Sequence, residues 1–452
     1  MNDTALRRTP LDPWIAETLG VALTELTPAA LEAFQLQRLG ATLDWVCHKS
    51  AYYRARLAPD GRPPRLEELS AMSRLPFTTA DDLRAHGGQL LCVSQDEVAR
   101  VVTLQSSGTT GPPKRLHFTR DDQEATLDFF HHGMSTLVGP GDRVAVLLPG
   151  EVAGSVGALL ALALRRLGVT PIPHGFLREL PRALEVLQRE GATSLVGTPV
   201  QALALARYAS MRGIRLELRT ALLTTDHVPD AIVRTLAREW GCEVFEHYGM
   251  TEMGLGGAVD CAAHAGYHLR VPELFFEVID PATGQPVPVG TPGEVVFTTL
   301  SRRGMPLIRY RTGDRSRLLP GPCPCGSPLP RLERVRGRLA EAPTRTGPGE
   351  APEINTPALD ELLFPIPGVV DYRATLRRGP SRAQLSVMAL SLRPDEALIP
   401  AVEAALDGSE TIGAAWRAGR IAVTVATEAL GDRLVRGPEK RSLEGLEVRD
   451  GE

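Results

Sequence analysis

The 452-residue chain is short of the features that would assign it at a glance. It has no charge bias: 50 Lys and Arg against 54 Asp and Glu leave a formal charge of -4, so nothing electrostatic favours a nucleic-acid partner. It has no long apolar run. The longest, residues 152 to 164, is well below the roughly 20 residues that span a bilayer. Gly154 and Gly157 interrupt it, so it reads as a buried helix and no membrane partner is expected. Six cysteines spread over such a length cannot form a disulfide scaffold. Aromatic residues are only 5% of the chain, so an aromatic pocket would have to be built from few rings. The start, Met1-Asn-Asp-Thr-Ala-Leu-Arg-Arg8, has no apolar core behind its charges, and a cytoplasmic protein without a secretory signal is expected. Internal repeats are absent, and so is the Gly-x4-Gly-Lys-Ser/Thr spacing of the helix-capping phosphate loop.

What is present is ordered. The length calls for a large body and at least one smaller unit. Residues 1 to 90 read as helical, with Leu31, Phe34, Leu36 and Leu39 at near-helical spacing and Thr79 with Asp82 as a helix cap. From about 120 to 250 helices alternate with strands at 143–148, 169–172, 194–197, 220–224 and 243–246, the pattern of an α/β fold with a parallel sheet. Ligands on such sheets collect at the carboxyl ends of strands, here Pro149-Gly150, Thr198-Pro199, Thr225-Asp226 and Tyr248-Gly249. After 270 the pattern turns to β-hairpins, with strands at 274–279, 293–299 and 307–310. A Pro/Gly/Cys tract at 320–330 is a loop, Gly337-Arg338 marks a boundary, and 341–452 reads as a small mixed α+β unit.

One stretch organises the rest. Between β-prone residues 101–104 and 115–119, the hydroxyls of Ser106, Ser107, Thr109 and Thr110 surround Gly108 and Gly111, and Pro112-Pro113 stiffen the approach to Lys114. Glycines admit positive φ and close backbone approach, hydroxyls donate, and one cation stands at the mouth. Such a hairpin tip suits a polyphosphate; a flexible linker is the alternative. In this form the loop resembles the phosphate-binding loop of the adenylate-forming (AMP-binding) superfamily. Ser50-Ala-Tyr-Tyr-Arg54 and Leu75-Pro-Phe-Thr-Thr79 resemble its phenylacetate-coenzyme A ligase branch.

Two further motifs follow in the order that superfamily requires. In Glu246-His-Tyr-Gly-Met-Thr-Glu252 an aromatic ring, a hydroxyl and a carboxylate converge, and Ile308-Arg-Tyr-Arg-Thr-Gly-Asp314 is close to Tyr-x-Thr-Gly-Asp. The resemblance implies that Tyr248 stacks on adenine, Thr251 meets the α-phosphate, Glu252 binds Mg²⁺ and Asp314 accepts both ribose hydroxyls. Asp226, His247 and Gly249 would border the nucleotide. Arg338 would touch ribose or phosphate, unless it is a solvated charge. The same resemblance implies an adenylation domain at 1–336, a hinge at 337–340 and a mobile α+β lid at 341–452. Lys440, the only lysine of that lid, would be the catalytic cation, unless it is a tail charge. The reaction implied is attack of a carboxylate on ATP, release of pyrophosphate and transfer of the acyl group to coenzyme A, with a homodimer as one expectation for the assembly.

Cys323-Pro-Cys325 brings two thiolates together, and Cys261 with His268 would complete a closed site of three sulfurs and one nitrogen, the donor set of structural Zn²⁺. His264 is the competing nitrogen, and unpaired loop cysteines are the alternative. Cys47, Cys92 and Cys242 are expected to be inert. Phe129, Phe130, His131, Pro149, His174, Phe176 and His247 are candidates for a pocket that takes an aryl or arylacetic acid. Three departures bear on the acceptor, one being the Pro/Gly-rich Pro343–Pro352 before Ile354-Asn-Thr-Pro357 in place of the family's glycine-led segment. The family's Gly-Arg-Ser-Asp-Asp hinge is Gly337-Arg-Leu-Ala-Glu341 here, and its Gly-Ala-Glu is Thr224-Thr-Asp226. An amine or hydroxyl acceptor, an adenylyltransferase that stops at the adenylate, and a non-catalytic nucleotide-binding regulator therefore stay open.

Overall fold

The computed structural model describes residues 7–104, 112–339, 354–379, 382–434 and 443–447. Contacts gather the chain into two units. The first comprises Met1–Pro140, Glu151–Val169 and Phe245–Val335; the second comprises Gly141–Gly150, Thr170–Val244 and Arg336–Glu452. Among the described residues, no helix is long and apolar enough to cross a membrane.

In the first unit, helix Pro28–Lys49 begins where the Thr27 side chain accepts from the Ala30 amide and Pro28 presets the first turn. Leu31, Leu39, Leu43 and Val46 bury one face. Polar side chains on that face close distant backbone: Gln35 donates to the carbonyls of Val271 and Leu274, and Thr42 to that of Leu300. Thr79 caps helix Ala80–His86, and Asp82 accepts from the Thr79 amide in return, as the sequence suggests.

Strands Val98–Leu104 and Lys114–Thr119 form the expected antiparallel hairpin, with Leu104 opposite Lys114. The tip, with Ser106, Ser107, Gly108, Thr109, Thr110 and Gly111, lies outside the described residues. At the hairpin's exit Thr119 caps helix Arg120–Met134. The buried Asp122 carboxylate accepts from the amides of Thr119, Arg303 and Gly304, which fixes the hairpin to the 303–304 turn.

Strands Leu274–Ile279, Gly293–Thr299 and Tyr310–Ser316 make an antiparallel sheet in that order. The strand expected at 307–310 starts instead at Tyr310, because Arg309 has a left-handed backbone with φ 48°. Its side chain accounts for that conformation. It forks onto both Glu277 carboxylate oxygens at 3.0 and 2.9 Å, donates to the carbonyls of Ser73 and Leu75, and lies 4.2 Å over the Phe77 ring. Arg309→Met leaves the buried Glu277 charge unpaired, and a loss of about 3–5 kcal/mol in urea unfolding is expected. Lys at this position should recover only part, since it cannot form the fork.

In the second unit, strands Thr220–Leu223, Ser194–Gly197, Arg143–Val146 and Thr170–Pro173 run parallel in that order, as the alternation predicts. Helix Pro199–Met211 is buried on nearly every side, which its Ala/Leu composition allows. Asp371–Arg378 and Ala383–Ser391 pair antiparallel; Ile421–Ala429 and Glu444–Glu447 add parallel edges. The last strand and helix Ile412–Arg417 carry no signal that the sequence analysis used. Helices of the two parts of this unit meet closely: the Glu361 carboxylate accepts from the amides of Asp230 and Ala231 at the start of helix Asp230–Trp240, and Arg207 donates to the Phe364 carbonyl.

Candidate nucleotide site and metal cluster

The segments 246–252 and 308–314 meet in the first unit. Tyr248 ends strand Glu243–Tyr248, and its hydroxyl donates to Asp314 Oδ2 at 2.9 Å. Asp314 is aimed there by a bulge. Glu294 pairs with Arg315 and Val296 with Arg311, so three residues of the Tyr310–Ser316 strand face one of its neighbour, and Gly313 takes φ 73°. Thr312 Oγ1 donates to the Val295 carbonyl and accepts from the Asp314 amide, and the Gly313 amide donates to Glu294. A single rigid bulge thus carries the carboxylate.

Glu252 lies in the helical turn Thr251–Met253 with its side chain only 3% exposed. Lys114 Nζ stands 2.5 Å from Glu252 Oε1, and the Tyr310 hydroxyl donates to the same oxygen at 3.2 Å. Arg302, buried over the Phe118 ring, donates to the Glu252 carbonyl. Burial lowers its guanidinium to about 10, which leaves it charged at neutral pH. Arg270 donates to the carbonyls of Gly256 and Ala125, so two buried arginines hold the 252–256 turn. Gly249 is required by packing: a Cβ there would fall 2.4 Å from the Leu255 carbonyl oxygen. Thr251 is partly buried at the start of the turn.

Phe129 and Phe130 come within 6.1 and 6.3 Å of the His247 ring, and Arg270 lies over Phe129. His131 meets His132 edge-on at 4.7 Å, and His132 stacks on Trp14 at 5.1 Å. Burial first, then Arg270, pushes His247 down to about 4; burial and His131 do the same to His132. A histidine whose folded value lies below its ordinary 6.5 binds fewer protons folded than unfolded between these values. Its contribution is therefore complete above pH 6.5 and is lost as pH falls toward 4. The thermal midpoint should drop across that window, and His132→Asn should flatten the drop relative to wild type.

Asp226, His174, Phe176, Pro149 and Arg338 belong to the second unit. Asp226 accepts from the His227 amide, next to Thr225 at φ 80°, and the ring Nδ1 of His174 lies 3.3 Å from the Gly175 carbonyl. Arg338 is exposed. Lys440 lies outside the described residues.

Cys261, His268, Cys323 and Cys325 are all buried, and their ligand atoms lie within 4.8 Å of one another. A tetrahedron with metal–sulfur bonds of about 2.3 Å and metal–nitrogen bonds of about 2.05 Å has edges of roughly 3.8 Å and 3.5 Å. Cys261 Sγ and Cys323 Sγ are 3.7 Å apart, and Cys325 Sγ and His268 Nε2 are 3.5 Å apart. The four side chains fit a zinc-sized ion. Hydrogen bonds from Cys261 and His268 pull the Cys325 thiol down to about 3, while the hydrogen bond to Cys325 and burial push Cys261 up. Burial opposes it, but hydrogen bonds to Cys323 and Cys325 raise His268 to about 9. His264 is not in the group; it pairs with Asp260 at 2.6 Å. Cys47, Cys92 and Cys242 are buried apart from it, with thiols pushed up by burial to about 11, 12 and 11.

The cluster adjoins the nucleotide motifs. Strand Ala258–Val259 pairs with His247–Tyr248 on one side and with His268–Leu269 on the other. Tyr267, next to His268, stacks along Tyr248 at 6.4 Å and donates to Glu246, which also pairs with Arg334. The sequence analysis did not single out Tyr310, Arg302, Tyr267 or Asp122. Tyr310 stood inside a quoted motif and could have been found; Arg302 sits in an Arg-Arg-Gly turn that reads as surface.

The AMP-binding enzyme family matches residues 57–301, which include the hairpin, Tyr248 and Glu252. The phenylacetate-coenzyme A ligase of Pseudomonas putida is 32% identical over 318 residues, 68% of this chain and 71% of that protein. That of Thermus thermophilus is 32% identical over 370 residues, 79% of this chain and 80% of that protein. A 2-hydroxyisobutyryl-CoA ligase in its postadenylation state has the same fold, with a TM-score of 0.76 and 21% identity over 94% of this chain and 91% of that one. Its motifs, their spacing and these likenesses agree: the chain belongs to the AMP-binding enzyme family.

Proposed function

We propose that the protein uses ATP to convert a carboxylic acid, aryl or arylacetic in class, into an acyl-adenylate, and then passes the acyl group to coenzyme A. The observation that carries this reading is the pairing, within one unit, of Tyr248 with Asp314 and of Lys114 with Glu252. A flat ring beside a carboxylate suits a nucleoside, and a buried carboxylate beside a lysine ammonium suits a charged phosphate and its metal.

In the first half-reaction a carboxylate oxygen attacks the α-phosphorus, and the bonding electrons leave with pyrophosphate. In the second the thiol sulfur attacks the acyl carbonyl, and AMP departs. The protein's share is positioning and charge neutralisation. Tyr248 takes the base, Asp314 the ribose hydroxyls, and Thr251, Lys114 and the loop hydroxyls of 106–110 the phosphates. Glu252 would hold Mg²⁺, which when bound offsets polyphosphate charge; the Lys114 ammonium beside this carboxylate supports that reading. Lys440 is assigned the α-phosphate side from a lid at 341–452 that turns about 337–340. Cys261, His268, Cys323 and Cys325 hold a structural Zn²⁺. Phe129, Phe130 and His247 favour a flat acid.

The test is pyrophosphate release from ATP across aryl, indolyl and fatty acids, with and without coenzyme A. Acid-dependent release that coenzyme A accelerates, with AMP as co-product, is expected for an aryl or arylacetic acid. Release that coenzyme A does not change would move the second half to another acceptor, and ATP binding with no release would leave a nucleotide-binding regulator.

A further inference from the structure

We infer that Lys114 is a gate for the divalent cation. Its ammonium holds the Glu252 carboxylate, and a metal gains that carboxylate only when it arrives on a polyphosphate that draws Lys114 away. The inference rests on the assignment of Glu252 to the metal and adds an order of events to it.

The geometry makes the two cations competitors. Lys114 Nζ and the Tyr310 hydroxyl both address Glu252 Oε1, at 2.5 and 3.2 Å, and the carboxylate is 3% exposed. A divalent ion coordinates a carboxylate oxygen at about 2.0–2.1 Å. On either oxygen of this carboxylate it lies within a few ångström of the ammonium, and like charges that close in a buried site repel strongly. A free ion must therefore break a buried ion pair and leave Lys114 without a counter-charge. An ion carried by a polyphosphate brings the replacement anion with it.

The residue type fits a partner that must leave. Only three of the chain's 50 basic residues are lysine: Lys49, Lys114 and Lys440. Other buried glutamates of this unit are held by arginine: Glu277 by Arg309, Glu294 by Arg311 and Glu246 by Arg334. An arginine fork locks a carboxylate through two parallel bonds, whereas an ammonium on a flexible stem makes a point contact that can swing. Lys114 also stands at the last pair of the hairpin, three residues after the loop assigned to phosphates. Arg302 holds the Glu252 main chain independently, so the carboxylate keeps its place when Lys114 departs.

The test is titration of the full-length, zinc-loaded protein with Mn²⁺ alone, read by the loss of the free-ion EPR signal, beside calorimetric binding of MgATP. Lys114→Met should bind Mn²⁺ at least ~10-fold more tightly than wild type, because an uncompensated buried carboxylate now awaits a cation, yet should bind MgATP ~10-fold more weakly. The double variant Lys114→Met/Glu252→Gln should lose the gain in Mn²⁺ affinity. If Lys114→Met does not fold, Lys114→Gln keeps a donor to Glu252 without the charge and should give the same opposed changes. Unchanged or weaker Mn²⁺ binding in the folded variant, or a gain that survives in the double variant, overturns the gate. If MgATP still binds, that result leaves the nucleotide assignment standing; if wild type does not bind MgATP, the assignment and the gate fall together.

Discussion

Glu252→Gln should lower acid-dependent pyrophosphate release by at least ~100-fold at saturating ATP and acid, since metal stabilisation of developing phosphoryl charge supplies several kcal/mol and each 1.36 kcal/mol is tenfold. The amide keeps the size of the side chain and can still meet the Tyr310 hydroxyl, and Arg302 still holds the main-chain carbonyl. The Lys114 ammonium loses its counter-charge but keeps some solvent contact, so the thermal midpoint should fall while the protein stays folded. The loss should lie in the rate at saturation and not in KM alone, because in the role proposed for it Glu252 acts on the charge that develops in the transition state. A variant that turns over at the wild-type rate when saturated would remove Glu252 from the chemistry.

The second large effect is on stability. Cys323→Ser removes one of the four buried side chains proposed to hold zinc. A structural zinc contributes its binding free energy to folding. Loss of several kcal/mol should lower the thermal midpoint by roughly 10 °C or more, at about 2–4 °C per kcal/mol for a unit of this size. One zinc per chain is expected in wild-type protein prepared without chelators, and much less in the variant. The loss should also weaken ATP binding, because the strand bearing His268 pairs with the strand that flanks Tyr248 and carries Tyr267. Equal midpoints with and without metal would show that the thiols pack the loop unaided.

Much of this was legible in the sequence, for physical reasons. The 98–119 hairpin, the parallel strands at 194–197 and 220–223 and the helix at 199–211 follow from alternation, β-branched runs and Pro at a first helical turn. The Thr79–Asp82 cap could be read because a capping box is local chemistry. The choice of His268 over His264 could not, because it depends on a strand pairing that puts His268 opposite Arg331 and Val259. The strand misplaced at 307–310 shows the same limit. Leu307 and Ile308 look extended, but Arg309 is held left-handed by Glu277, 32 residues away. Tyr310, Arg302 and Asp122 act through partners 58, 50 and 181 residues distant, which no local pattern encodes.

The measurement that tests the account most directly is the fate of ATP labelled at the α-phosphate, followed with an aryl acid and coenzyme A present. The label should appear in AMP, in amounts equal to the thioester formed, and neither should form without the acid. Label recovered in ADP, or AMP that accumulates regardless of acid, would contradict activation through an acyl-adenylate.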